Sequence, residues 1–188
     1  MGLQLAVAMR LEQIDNPWQS HKWSLDEVLV DLGQFVGLRS SAEVIEVCGI
    51  SGFLVRRSQQ EETWIYTGFH LDLFADEAQG YYLNVSSPQP SWFVMYRYED
   101  SSLFADGKIA VPHRVMLSYN EAARLLDGGE EVERYPISGQ LLESVQLFVA
   151  ENYRPEPKKR QRPESFQGAT RPAHPLKGDW LSTFLKRW

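Results

Sequence analysis

Residues 68–99 read GFHLDLFADEAQGYYLNVSSPQPSWFVMYRYE, and how this run divides decides the fold. His70-Leu71-Asp72-Leu73-Phe74 alternates polar and apolar residues, as a half-buried strand does. Ala75 to Gly80 is a polar connection that ends in glycine. Tyr81-Tyr82-Leu83-Asn84-Val85 carries aromatic and branched residues suited to a pleated surface. Pro88 and Pro90 remove two ladder donors, so the run 86–90 cannot continue a central strand. Trp92-Phe93-Val94-Met95-Tyr96 is apolar on both faces and predicts the most buried strand. The run therefore reads as three short strands joined by two turns.

The same pattern extends towards the N-terminus. Leu3, Leu5, Val7, Met9 and Leu11 recur with a strict period of two, which a secretory segment has no reason to keep. Asn16-Pro17 favours a turn, and Trp18 and Trp23 bracket His21. Ser24 to Leu32 fits two templates. Leu25, Val28, Leu29 and Leu32 have helical spacing behind a Ser24/Glu27 capping box. Trp23 and Leu25, then Val28, Val30 and Leu32, fit a strand with a bulge, and the valines and the preceding Trp favour it. A polar turn covers 33–40. Short strands are predicted over 42–47 and 52–57, and Trp64-Ile65-Tyr66 restarts a strand after the solvated SQQEE turn.

Downstream, 108–117 holds a further strand that Pro112 restricts to an edge or a bulge. Ser118 with Glu121 forms a capping box for a helix over 119–126, and Gly128-Gly129 stops it. A short link follows over 130–134. Ser138 is a good N-cap for a second helix to about Asn152, with Ile137 and Leu142 as a hydrophobic staple and Leu141, Leu142, Val145, Phe148 and Val149 as its apolar face. Hairpin-length connections favour antiparallel order, because parallel strands need long crossovers. The predicted class is α+β: an antiparallel twisted sheet or partly closed β-barrel of about six to eight strands, followed by two helices.

The organisation expected is one globular domain over 1–153, a disordered basic linker over 154–178 and a short amphipathic segment over 179–188. The chain has 188 residues and a net charge of −6. From Pro155 onward eight Lys and Arg face three acids, so this tail stands at +5 and the residues before it at −11. Pro, Lys, Arg and Gln dominate the linker, a composition too poor in apolar residues to offset its ordering entropy. In the last ten residues, Leu181, Phe184, Leu185 and Trp188 fall at helical spacing beside Trp180. An apolar stripe on a basic tether suits docking into a partner's groove or onto the chain's own body.

Catalytic signatures are missing. Neither GxGxxG nor GxxxxGK[ST] occurs, and no GxSxG or HExxH does. Cys48 is the single cysteine, which excludes an intrachain disulfide; with no basic neighbour it is expected to be buried and inert. No run approaches the ~20 apolar residues of a membrane span, and the cytoplasm is the default compartment. His70 and Asp72, two apart on a strand, share a face; with Glu77 they suit metal or acid–base chemistry or plain surface hydrogen bonding. His21 between Trp18 and Trp23 suits an aromatic cleft or a packed turn. The residues singled out as a binding face are Trp18, His21, Trp23, His70, Asp72, Glu77, Tyr81 and Asn84. Lys158-Lys159-Arg160 with Arg162 lacks interleaved aromatics, which makes RNA binding the weaker alternative.

Several segments in order resemble a known family. They are Asn16 to Trp23, His70 to Phe74 with Glu77 and Tyr81 to Asn84, Pro90 before Phe93-Val94-Met95, Tyr119 to Ala123, Gly128 to Val132, and Lys158-Lys159-Arg160. Their spacing over about 3–162 is similar to the bacterial "domain of unknown function 3305" family. The resemblance implies no established activity. Its members are typically encoded among genes for molybdenum-dependent formate dehydrogenase, and some carry a label connecting them to molybdopterin guanine dinucleotide synthesis. A nucleotidyl transferase of that kind is expected to show a Gly-rich loop near its N-terminus, where this chain has a plain strand. The ending Phe184-Leu185-Lys186-Arg187-Trp188 is similar to the FLxRW opening of a companion family. The expectation is a non-catalytic accessory protein without a cofactor, acting on a protein partner such as a formate dehydrogenase subunit or its maturation factors. Trp180, Leu181, Phe184, Leu185 and Trp188 are its expected partner contacts. The alternative is an enzyme or carrier for the molybdopterin guanine dinucleotide cofactor.

Overall fold

The computed structural model describes residues 2–155. Residues 156–178 of the expected linker and the whole 179–188 segment lie outside the described residues. Eight strands run antiparallel to their neighbours in two sheets. β1 (Gly2–Gln13), β2 (His21–Val30), β3 (Glu43–Val47), β4 (Ile50–Arg57) and β5 (Glu61–Asp72) form a five-stranded sheet ordered β2-β1-β5-β4-β3. β6 (Ser91–Asp100), β7 (Lys108–Met116) and β8 (Glu131–Pro136) form a three-stranded sheet ordered β7-β6-β8. The helices are α1 (Leu38–Ser41), α2 (Ala78–Val85), α3 (Tyr119–Asp127) and α4 (Gly139–Asn152). The class is α+β as expected, with the strands divided between two open sheets.

β1 organises the larger sheet because it is paired on both sides. Leu5, Val7, Met9 and Leu11 alternate onto the inner face and are buried in the main core. Ala6 and Ala8 face the other way and are also buried, under Leu29, Phe35 and Leu38. The predicted polar turn over 33–40 thus supplies apolar cover for the outer face, which is why small residues alternate with large ones along β1. Two bulges adjust the registers. Between β1 and β2 the pairing passes from Ala8–Glu27 to Met9–Leu25, leaving Asp26 extra. Between β6 and β7 it passes from Met95–Arg114 to Tyr96–Pro112, leaving His113 extra. Pro112 sits on an edge strand beside that bulge, which satisfies both readings of its position.

The sheets are joined by buried polar contacts as well as by the core. Tyr66 of β5 donates its hydroxyl to the Ala110 carbonyl of β7 at 3.1 Å. Glu133 of β8 accepts from the Leu25 N–H of β2 at 2.7 Å and from the Tyr96 hydroxyl at 3.0 Å. Burial pushes the Tyr66 and Tyr96 hydroxyls well above the usual phenol range, so both remain donors.

The opening run is divided differently from the expectation. Tyr81 to Val85 is not a strand; it is the second half of α2, entered through a 3₁₀ turn at Ala75–Glu77. Ala78, Tyr81 and Val85 fall at helical spacing, and α4 supplies the surface that buries them. Tyr81 packs edge-on to Phe148 at 6.0 Å, and Tyr82 lies 5.0 Å from Tyr153. Aromatic strand preference reports a fit to a half-buried surface, and a helix partner provides one equally well.

Asn84 locks this helix in place. It is 1% exposed. Its side-chain amide donates to the Ser91 carbonyl at 2.7 Å and the Leu117 carbonyl at 2.9 Å, and its oxygen accepts from the Ser91 N–H at 2.9 Å. One side chain thereby ties α2 to the start of β6 and the approach to α3. Ser118 caps α3 by accepting from the Glu121 N–H at 3.2 Å and donates to Glu77 at 2.6 Å. Arg124 reaches the other Glu77 oxygen at 3.1 Å. The Ser118 hydroxyl and then Arg124 hold the Glu77 carboxyl below its usual pKa, against the opposing effect of its partial burial.

Two outcomes follow. A Cβ on Gly80 of α2 meets the Ser118 hydroxyl oxygen at 2.1 Å. Helix propensity alone makes Gly80→Ala stabilising by about 1 kcal/mol. Overpacking against a hydroxyl already held by two partners reverses the sign, and we expect a net loss of about 2 kcal/mol in urea denaturation. A neutral or stabilised variant would refute this packing. Glu77, with its pKa depressed on folding, contributes stability that is complete above the ordinary glutamate value and disappears as pH falls through the lower folded value. Glu77→Gln should therefore be less stable than wild type by about 1 kcal/mol at pH 7, and the gap should close below about pH 4. A gap independent of pH from 7 to 3 contradicts the assignment.

Candidate functional site

The registers place one mixed row across the inner face at the β1–β2 end. Trp23, Leu11, Glu62 and Arg57 are successive cross-strand partners on β2, β1, β5 and β4. The adjacent inward row runs Leu25, Met9, Trp64, Leu54 and Glu43. Cross-strand partners share a face, so these side chains form one surface. The loop between β6 and β7 folds over it. Phe104 of that loop stands edge-on to Trp23 (5.3 Å, 76°) and to Trp64 (5.8 Å, 71°). The loop closes through Ser101 N–H to the Gly107 carbonyl at 2.9 Å, with Gly107 at φ 68° where a side chain is disfavoured. Asp106 anchors it to the β1–β2 connection by accepting from the Ser20 hydroxyl and from the His21 N–H at 2.9 Å.

A cleft of about 240 Å³ remains beside the Phe104 contact. Trp23, Trp64, Phe104 and Tyr98 supply its aromatic walls, and Glu43, Arg57, Glu62, Asp106 and Lys108 its charges. Arg57 donates to Glu62 at 2.7 Å and to Glu43 at 3.1 Å, and these carboxylates raise its pKa further. Glu62 also accepts from the Trp64 indole at 3.0 Å. Lys108 pairs with Asp100 at 3.1 Å. The Ser20 hydroxyl and then the His21 N–H lower the Asp106 pKa, so this carboxylate is held ionised. The arrangement is chemically one of binding: fixed acceptors and ring edges around a small space, with Arg57, Glu43 and Glu62 committed to one another.

The eight residues of the expected binding face fall in three places. His21 and Trp23 line the cleft. Trp18 precedes the lining residue Gln19 and is 94% exposed, on a turn in which its N–H donates to the Asn16 side chain at 2.9 Å. His70 and Asp72 stand at the opposite end of the sheet. Their side chains bond at 2.9 Å, and Gln4 contacts the other His70 nitrogen at 3.0 Å. His70 pairs with Gln4 and His21 with Gln13 along β1, so the two histidines are about 30 Å apart at roughly 3.3 Å per residue. Glu77, Tyr81 and Asn84 belong to the α2 packing described above; buried Asn84 has its amide bonded within the fold and presents no surface.

Glu43, Arg57, Glu62, Trp64, Tyr98, Phe104, Asp106 and Lys108 were not singled out from the sequence. The available signal was alternation: Arg57, Glu62 and Trp64 flank one turn at positions that a hairpin puts on a common face. Cys48 is also corrected. It is exposed, at φ 53° beside Gly49 at φ 77°. The two-residue β3–β4 hairpin requires positive φ at both positions, which turns the thiol outward. Residual desolvation and the Glu99 carboxylate push that thiol up in pKa, away from the reactive thiolate. Among the described residues no group of three His, Cys, Asp or Glu side chains could hold a metal ion, and no helix is long and apolar enough to cross a membrane.

No curated protein and no solved structure matches the chain. A family model described as "Protein of unknown function (DUF3305)" matches residues 4–162. With most of its length covered in this way, the chain belongs to the domain of unknown function 3305 family.

Proposed function

We propose that this protein is a non-catalytic accessory factor that works by binding another protein in the cytoplasm. The observation that carries the reading is the apolar surface at the mouth of the cleft. Trp18 is 94% exposed and Leu103, which lines the cleft, is 68% exposed. Large apolar side chains held in water beside a concave aromatic site suit a protein interface, where such residues supply most of the binding energy. The family resemblance points to the partner: a molybdenum-dependent formate dehydrogenase subunit or one of its maturation factors, served in assembly, cofactor loading or stabilisation. The apolar stripe of Trp180, Leu181, Phe184, Leu185 and Trp188 would add a second contact on a basic tether.

The carrier alternative fits this cleft poorly. The molybdopterin guanine dinucleotide cofactor bears a pyrophosphate, and here it would face Glu43, Glu62 and Asp106 with Arg57 already engaged by two of them. RNA binding through Lys158-Lys159-Arg160 would set a polyanion beside residues that carry −11 before the tail.

Affinity purification of the tagged full-length chain from its native cell should recover a formate dehydrogenase subunit or maturation factor. The pair Trp18→Ala with Leu103→Ser should reduce that recovery at least tenfold, equivalent to about 1.4 kcal/mol. Recovery of neither class by wild type, or equal recovery by the pair, overturns the reading. Deleting 179–188 should weaken capture as well; undiminished capture removes the docking role of those residues and leaves the cleft surface as the interface.

A further inference from the structure

We infer that the cleft receives a basic side chain, arginine or lysine, from the partner protein. This rests on the protein-binding reading above and specifies the chemistry of the contact. Three carboxylates, Glu43, Glu62 and Asp106, line the cleft against two cations, Arg57 and Lys108. Arg57 is shared by Glu43 and Glu62, which leaves one negative charge over, and Lys108 is already paired with Asp100. Asp106 has only neutral donors within bonding distance, the Ser20 hydroxyl and the His21 N–H. His21 Nδ1 lies 3.6 Å from Asp106 and is instead 2.8 Å from Ser20 Oγ. A carboxylate accepts about four hydrogen bonds, so Asp106 keeps acceptor capacity for an incoming donor.

The rest of the lining favours the same occupant. Trp23, Trp64, Phe104 and Tyr98 provide the ring surfaces that attract a cation. The volume of about 240 Å³ lies below the roughly 300–1,000 Å³ of sites for drug-sized ligands and suits one long side chain. Residues 1–154, at −11, add a field that draws positive charge towards them. Arg57 shows the chemistry already at work: a guanidinium held between two carboxylates beside an indole.

The test is a two-dimensional ¹H–¹⁵N titration of the full-length chain, read at the Trp23 and Trp64 indoles. The probes are N-acetyl-arginine amide, N-acetyl-lysine amide and the uncharged isostere N-acetyl-citrulline amide. We expect saturable indole shifts with arginine and lysine in the millimolar range, binding of citrulline at least fivefold weaker, and at least fivefold weaker arginine binding by Asp106→Asn. The dispersion of the same spectra reports whether that variant is folded. Arginine binding by wild type should also weaken at least threefold between 50 and 300 mM salt. No indole shift, equal shifts with citrulline, or Asp106→Asn binding as wild type overturns the inference. Spermidine binding more than tenfold tighter than either amino acid amide also overturns it, by assigning the cleft to a free polyamine. The two readings separate cleanly: arginine binding without capture of a formate dehydrogenase component removes the proposed function and leaves the cleft chemistry, and capture without arginine binding does the reverse.

Discussion

Phe104 between Trp23 and Trp64 is the contact on which the cleft depends. Without a side chain to seat there, the β6–β7 loop would have no apolar reason to lie across the larger sheet. The ring meets two indoles edge-on, an arrangement that adds to plain area burial. Asp106 then fixes the far side of the loop to Ser20 and His21. The apolar contact positions the loop and the charged contact sets its register. The same contacts leave one wall aromatic and the other acidic. The site is thus a by-product of how two sheets are fastened, and its shape is only as rigid as that fastening.

The fastening itself has a division of labour. In the interior, Tyr66 and Asn84 use neutral groups whose hydrogen bonds are all made to the fold. Nearer the surface, Glu77 and Glu133 use carboxylates, each bridging elements that are distant in sequence. This follows from solvation: an amide buried with its partners costs little, while a carboxylate is tolerated where water or a cation remains close. Polar residues in the central run therefore hold the architecture. Their types resemble those of a catalytic set, but their geometry commits them to one another.

Much of the fold was legible because it rests on local periodicity. The period-two pattern of β1, the Ser118 capping box, the prolines after residue 86 and the glycine stop at 128–129 each follow from short-range chemistry, and each is present. The Tyr81 to Val85 helix was not legible. Its aromatic residues are compatible with either state, and α4, sixty residues later, decides between them. Phe35 and Leu38 were hidden for a similar reason: two apolar residues in a polar turn acquire meaning only against Ala6 and Ala8. Of the candidate site, His21 and Trp23 were visible as chemistry-bearing neighbours, and the other cleft residues come from strands whose order in the sheet no local pattern states. His70 and Asp72 share a face as expected, yet face and position along the strand are separate questions, and the second puts them at the far end.

The Asp26 bulge connects these levels. Trp23 and Leu25 are odd-numbered and Val28 is even-numbered, so a regular strand would set them on opposite faces. The extra residue lets all three pair with inward partners on β1, namely Leu11, Met9 and Val7. Were β2 regular, keeping Val28 in the core would turn Trp23 outward, remove one of the two indoles that seat Phe104, and leave the β6–β7 loop without its clamp. Asp26 itself, displaced from the ladder, lies 3.6 Å from Arg10 on the outer face. One inserted residue thus reconciles a core that wants Val28 with a cleft that needs Trp23. The ambiguity between helix and strand over 24–32 is the sequence-level trace of that compromise, because a bulged strand shifts its apolar phase just as a helical pattern does.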